Sequence, residues 1–184
     1  LKGYQGYVYD NFSDTYFTKD NAALIDAIRE EIELLYKSRK CTKPEKFVLL
    51  TSLLFAIDKI ANTVGQYDAF LKNLGNNSYS KSGKHVVDSN VYKRILLKIP
   101  AFKYYEKNKV FCEDINNLIQ KVEGDVLYLD PPYNNRQYID CYHLLENISL
   151  WKKPPLFGKT KKFERNHLKS EYSRKNNAPG AFKT

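Results

Sequence analysis

Residues 126–129 read Val-Leu-Tyr-Leu and stop abruptly at Asp130-Pro131-Pro132-Tyr133. An apolar run of this length, bounded by turn residues, is the pattern of a strand buried in a sheet. Its end is fixed as firmly as its body. Neither proline carries a backbone N–H and both rings lock φ, so neither a ladder nor a helix continues through them. Upstream, "KVFCED" (109–114) is a short β-like run, "INNLIQKV" (115–122) has helical character, and "DVLYL" (125–129) follows. Strand, helix and strand at this spacing make one βαβ unit, hence a parallel sheet and an α/β fold. In such sheets ligands gather at the carboxyl ends of the strands, where Asp130 stands.

The rest of the chain reads mainly as helix and loop. The opening "LKGYQGYVYDNFSDTYFT" is rich in Tyr, Gly and Asp and reads as irregular. Asp20 then suits an N-cap, and Leu24, Ile25, Ile28, Ile32 and Leu35 form one stripe, with Arg29, Glu30, Glu33 and Lys37 on the charged outer face. A second helix starts near Pro44, and its apolar residues cover more than one face, which predicts that it is mostly buried. A long Gly-, Asn- and Ser-rich loop follows, then "KRILLKIPAF" as a strand edged by Pro100. A last helix is expected over "DCYHLLENISLW" (140–151), before a basic tail carrying Lys152, Lys153, Lys159, Lys161, Lys162, Arg165 and Lys169.

Composition narrows the class. A chain of 184 residues, 42% hydrophobic and 28% charged, is that of a globular protein with one good core. No apolar run reaches the length of a membrane span and no signal-peptide pattern opens the chain, so a cytoplasmic protein is expected. Cys41, Cys112 and Cys141 are scattered without C-x-x-C pairing and read as reduced thiols; the three histidines are equally dispersed, and no metal site is expected. The formal charge of +9 favours polyanions, nucleic acid first, because basic side chains neutralise phosphates and release counterions. There is no Met anywhere and the first residue is Leu1, which reads as a fragment of a longer protein.

The motif has a chemistry of its own. Asp130 supplies a carboxylate acceptor, the Pro131 and Pro132 carbonyls are free to accept, and Tyr133 offers a flat face. Two acceptors and a ring suit an exocyclic amino group on a flat heterocycle, adenine above all. Inside a duplex that base has to be flipped out to be reached. Accepting both N–H bonds draws the amino nitrogen out of conjugation, so its lone pair can attack an electrophilic methyl group placed in line. The protein then contributes orientation and preorganised acceptors. The plain alternative is a strand end with a Pro-Pro turn and a capping Asp.

"LYLDPPYNNRQYIDCYHLLENISLW" resembles motif IV and its continuation in the adenine-specific (N6-adenine) DNA methyltransferases of the group containing Dam and the FokI methylase. "NFSDTYFTKDNAALIDAIREEIE", "LLTSLLFAIDKIANTVGQYDAFLK", "KVFCEDINNLI" and "NHLKSEYSRKNNA" resemble that group's segments in the same order. The resemblance implies S-adenosylmethionine as cofactor, double-stranded DNA as partner, and kinship with the modification methylases of restriction–modification systems. It places Asp130, Pro131, Pro132 and Tyr133 at the catalytic pocket, with Asp130 and the Pro131 carbonyl on the target amino group and Tyr133 stacked on the flipped adenine. It puts Asp114, with Asp130, at the cofactor, although Asp114 also suits a helix N-cap on "INNLIQKV". It sets Arg136, Gln137 and Tyr138 in a loop near DNA, against the alternative of loop packing. Asn62, Gln66 and Tyr67 read as helix-end packing before active-site lining, His143 as structural, and the basic tail as either a solvated face or a phosphate contact.

One departure matters. The group's glycine-rich F-x-G-x-G turn, which cradles the methionine part of the cofactor, has no counterpart here, and the Gly3–Gly6 region does not fit it. The expected architecture is therefore a partial Rossmann-like S-adenosylmethionine-dependent methyltransferase fold with a helical insert. Residues 1–108 form the insert and target-recognition region, and 109–184 the incomplete central part of the catalytic α/β domain. The chain alone is expected to be weakly active or inactive unless a second polypeptide or missing segment completes the cofactor site. Two rival readings remain at this stage, a DNA-binding remnant without catalysis and a methyltransferase acting on RNA or protein.

Overall fold

The computed structural model describes residues 1–72, 74, 87–101, 108–131 and 136–183. Its helices are α1 (Tyr7–Phe12), α2 (Lys19–Lys37), α3 (Lys43–Ile60), α4 (Ile115–Leu118), α5 (Tyr138–Leu150) and α6 (Ala178–Ala181). Two units divide the chain. The first comprises Leu1–Pro100 with Cys141–Glu164, the second Ala101–Asp140 with Arg165–Thr184.

In the first unit α2 packs on α1 and α3, and the core is built from Phe12, Tyr16, Phe17, Ile25, Leu53, Ile57, Leu144 and Ile148, all fully buried. Removing a side chain of this size from water contributes roughly 1.5–3 kcal/mol. The start of α2 is set by Thr18, whose hydroxyl accepts from the Asn21 amide at 3.3 Å. The expected cap, Asp20, lies inside the first turn instead, where its charge complements the helix dipole. A full capping box opens α3: the Thr42 hydroxyl accepts from Glu45 N, and the Glu45 carboxylate accepts from Thr42 N at 2.7 Å. Pro44 sits in its first turn, as expected. That helix buries one side only. Leu50, Leu53, Ala56, Ile57 and Ile60 face inward, while Phe47 and Phe55 remain more than half exposed.

Two further expectations are corrected here, and a third finds no support among the described residues. The opening segment is ordered: it forms α1 and buries Val8, Phe12, Tyr16 and Phe17. Nothing local caps α1. Instead the fully buried Asp26 carboxylate of α2 accepts from Val8 N at 2.9 Å and Tyr9 N at 2.8 Å. A Cβ on Gly6 would come within 2.7 Å of that carboxylate, so the approach requires glycine. The second correction concerns Arg29, assigned to the outer face but 1% exposed. Its Nε donates to the Ile148 carbonyl at 2.8 Å and its Nη2 to the Ser149 carbonyl at 3.1 Å, two of the carbonyls that the end of α5 leaves without helical partners. Its Nη1 pairs with Glu33 at 2.6 Å, and Glu33 also holds Lys46 at 2.7 Å.

The third is the β-structure. Among the described residues there is no strand, only isolated bridges at Ser13–Phe17, Thr63–Phe70 and Phe157–Lys162. In the second unit the predicted strands 109–114 and 125–129 have no regular structure, and Val126, Leu127, Tyr128 and Leu129 are 88%, 61%, 83% and 49% exposed. A strand exists only through the hydrogen bonds of a neighbour, and no described segment pairs with these residues. The described part of 93–102 is likewise without regular structure. The helix predicted for 115–122 is a single turn, capped by Asp114 and closed by Lys121 N donating to the Leu118 carbonyl at 2.8 Å.

Burial would raise the Glu33 carboxyl, but the hydrogen bonds from Lys46 and Arg29 outweigh it and hold the group below the usual range. Its folded-state value lies below its unfolded one, so its stabilising contribution is complete above the ordinary glutamate range and lost as pH falls through the lowered value. Urea unfolding is expected to show Glu33→Gln less stable than wild type at pH 7, with the gap closing in acid. Arg29→Ala is expected to cost about 3 kcal/mol, because it strands both a carboxylate and two helix-end carbonyls.

Candidate functional site

The residues singled out around the Asp-Pro-Pro-Tyr motif fall in the second unit, and six of the eight are among the described residues. Asp130 is exposed and Pro131 half-buried. Pro132 and Tyr133 lie outside the described residues. The Asp130 carbonyl accepts a long bond, 3.4 Å, from the hydroxyl of Tyr138, which opens α5 and is half exposed. That contact brings the Tyr138 hydroxyl to the residue that begins the motif.

Arg136 is exposed, whereas Gln137 next to it is buried. The Gln137 side chain is a local organiser. Its Oε1 accepts from Ser170 N at 2.9 Å, and its Nε2 donates to the Ser173 hydroxyl. Ser173 in turn donates to the Ser170 carbonyl at 2.9 Å, and the Gln137 carbonyl accepts from Asp140 N at 2.9 Å. One amide therefore ties the start of α5 to the short helical turn Glu171–Ser173. Beside it Asp140 forms an ion pair with Arg165, both mostly buried.

Asp114 caps α4, its carboxylate accepting from Asn116 N at 3.0 Å. A carboxylate has room for further bonds, and Asp114 is exposed. Asn116 continues the network: its Nδ2 donates to the Ala181 carbonyl at 3.3 Å, and its Oδ1 accepts from the Tyr172 hydroxyl, whose ring stands edge-on to Phe182 at 4.6 Å. Sequence reasoning missed Ser170, Tyr172, Ser173 and Arg165 as supports of the motif. They act 25 to 56 residues away from their partners, and no local pattern marks them.

The other candidates sit in the first unit as packing groups. Asn62 is buried and its Nδ2 donates to the Thr15 and Leu71 carbonyls at 2.7 and 2.8 Å. Tyr67 is buried, with its hydroxyl on Asp58 at 3.1 Å and its carbonyl receiving the Tyr16 hydroxyl at 2.7 Å and facing His143 Nε2 at 2.9 Å. Burial pushes the hydroxyls of Tyr16 and Tyr67 far up, so both remain protonated donors. Gln66 accepts from the Cys141 thiol at 3.4 Å.

Asp130 is thus an exposed carboxylate, followed along the chain by the buried Gln137 amide and its network. Residues 4–181 match the family described as D12 class N6 adenine-specific DNA methyltransferase, and the chain belongs to it. Among curated relatives it is 39% identical to the modification methylase StsI of Streptococcus sanguinis, covering 89% of this chain and 23% of that one. It is 38% identical to the type II methyltransferase M.FokI of Planomicrobium okeanokoites, over 91% of this chain and 24% of that one. The type II methyltransferase M.NlaIII of Neisseria lactamica is 36% identical, over 97% of this chain and 50% of its own. The chain thus spans about a quarter to a half of these relatives. No solved structure matches it.

Gln137→Ala is expected to speed amide exchange at Ser170 about fivefold or more, the loss of roughly one hydrogen bond's worth of protection. Gln137→Glu retains the acceptor for Ser170 N and is expected to protect that amide better than Ala does.

Proposed function

We propose that this chain carries the base-binding part of a site-specific DNA adenine methyltransferase, the modification enzyme of a restriction–modification system. The observation that carries the reading is the exposed Asp130, followed by Pro131, in a chain that belongs to an adenine-N6 methyltransferase family. The target is the exocyclic amino group of an adenine flipped out of duplex DNA. The Asp130 carboxylate and the Pro131 carbonyl accept its two N–H bonds, Pro132 holds the turn rigid, and Tyr133 stacks on the ring. Held there, the amino nitrogen points its lone pair at the incoming methyl group, so the residues act by orientation and electrostatic preorganisation.

S-adenosylmethionine, when bound, supplies an electrophilic methyl group on a sulfonium centre. The donor set fits one end of such a nucleoside: Asp114 is exposed and has used one oxygen as a helix cap, which leaves acceptor capacity for hydroxyl groups. Asp130 serves both substrate and cofactor sides. Arg136 and Tyr138, both exposed, face DNA on either side of the buried Gln137, which is bonded to Ser170.

The same reading explains the second unit's apolar surface. Val126, Leu127, Tyr128 and Leu129 fit the strand of a Rossmann-like parallel sheet whose neighbours come from a further segment or a second polypeptide. Residues 109–184 then belong to the catalytic α/β domain and 1–108 to the helical target-recognition insert.

The test is transfer of a labelled methyl group from S-adenosylmethionine into plasmid DNA by the open reading frame that contains this chain. Wild type is expected to incorporate label, and Asp130→Ala to lose activity by a factor on the order of 10² or more. Absence of incorporation by the wild-type protein would sink the enzyme reading.

A further inference from the structure

The segment after α5 carries a feature that the motif's chemistry does not use. Phe157 and Lys162 form an antiparallel bridge through two backbone hydrogen bonds of 2.8 and 3.0 Å, closing a turn over Gly158, Lys159, Thr160 and Lys161. This turn is anchored from below. The buried Tyr16 hydroxyl, whose one proton goes to the Tyr67 carbonyl at 2.7 Å, stands 3.2 Å from the Thr160 carbonyl, Lys162 pairs with Asp68, and Phe163 is buried. Just upstream the Tyr7 hydroxyl donates to the Pro154 carbonyl at 2.7 Å, and Leu156 packs against the core.

On that fixed base the chain turns an aromatic ring outward: Phe157 is 62% exposed. Lys152 and Lys159 are exposed beside it in sequence and Lys161 is half-buried. Residues 152–162 hold five lysines and no acidic residue. Backbone strain is concentrated here as well. Trp151, Lys153 and Lys161 have φ of 54°, 51° and 54°, three of the five left-handed non-glycine residues in the described chain. Such conformations cost free energy and persist where surrounding structure enforces them, which singles the segment out for a role beyond packing. A ring flanked by cations and held on a rigid turn suits nucleic acid: lysines neutralise phosphates, and an aromatic face stacks on a base.

We propose that the turn of residues 157–162 is a second DNA-contact element, in which Lys152, Lys159 and Lys161 meet backbone phosphates and the Phe157 ring stacks on an unstacked base. This inference rests on the reading of duplex DNA as the substrate. The test is fluorescence anisotropy with a mixed-sequence labelled duplex across a salt series, using the open reading frame that contains this chain. Phe157→Ala is expected to weaken binding roughly tenfold with the salt slope unchanged, and Phe157→Tyr to bind like wild type. Phe157→Leu should lose nearly as much as Ala. Lys159→Ala should make the log–log salt slope shallower by about 0.9. Because Phe157 and Lys159 are exposed, none of these changes should lower the melting temperature. Wild-type affinity and slope in both alanine variants, beside a wild-type protein that binds and methylates duplex DNA, would overturn the turn's role alone. Full recovery by Phe157→Leu would overturn stacking. A wild-type protein with no affinity for duplex DNA would overturn both this inference and the reading beneath it.

Discussion

The guanidinium of Arg29 is the fixed point of the first unit. It lies on α2, is sealed from water, and spends its donors on two carbonyls at the end of α5 and on Glu33, with the Trp151 ring 5.3 Å from its centre. A buried charge of this kind is tolerable only when every partner is in place. The consequence is geometric. With the end of α5 fixed against α2, Trp151 leaves the helix in the left-handed region, and the basic segment that follows begins from a defined point. Asp26 acts in the same manner one turn earlier on α2, where its carboxylate substitutes for a local cap on α1. Side chains of α2 thus terminate two other helices.

The second unit is organised differently. Its internal bonds run through polar side chains, Gln137 to Ser170 and Ser173, Asn116 to Tyr172 and the Ala181 carbonyl, Asp140 to Arg165. Its most apolar run, 126–129, faces solvent. That run sits immediately before the residues of the proposed pocket. Preorganisation of those residues depends on what holds the backbone: prolines within the motif, and the Tyr138 and Gln137 contacts just after it.

Local chemistry made much of this legible in the sequence. The helices α2, α3 and α5 declare themselves by the pattern of their apolar residues, and α3 also by Pro44 at its start. The Asp130-Pro131 turn stands out in the sequence because prolines end an apolar run in only a few ways. What was not legible depends on distant partners. Arg29 reads as surface on a helical wheel because the carbonyls that bury it are 119 and 120 residues away. The helix α1 is hidden because its cap comes from Asp26. Gln137 reads as a loop residue because the serines that engage it lie 33 and 36 positions downstream. The run 126–129 has the pattern of a strand without the pairing that makes one, since pattern is a property of the segment and pairing a property of its neighbours.

The central claim is that Asp130 and Pro131 present acceptors to the amino group of adenine in duplex DNA. It is tested most directly by the identity of the modified base. Plasmid DNA incubated with S-adenosylmethionine and the protein encoded by the open reading frame containing this chain would be digested to nucleosides and analysed by mass spectrometry. The expected product is N6-methyldeoxyadenosine, absent when Asp130 is replaced by alanine. Methylated cytosine in its place, or unmodified nucleosides from a folded wild-type protein, would contradict it.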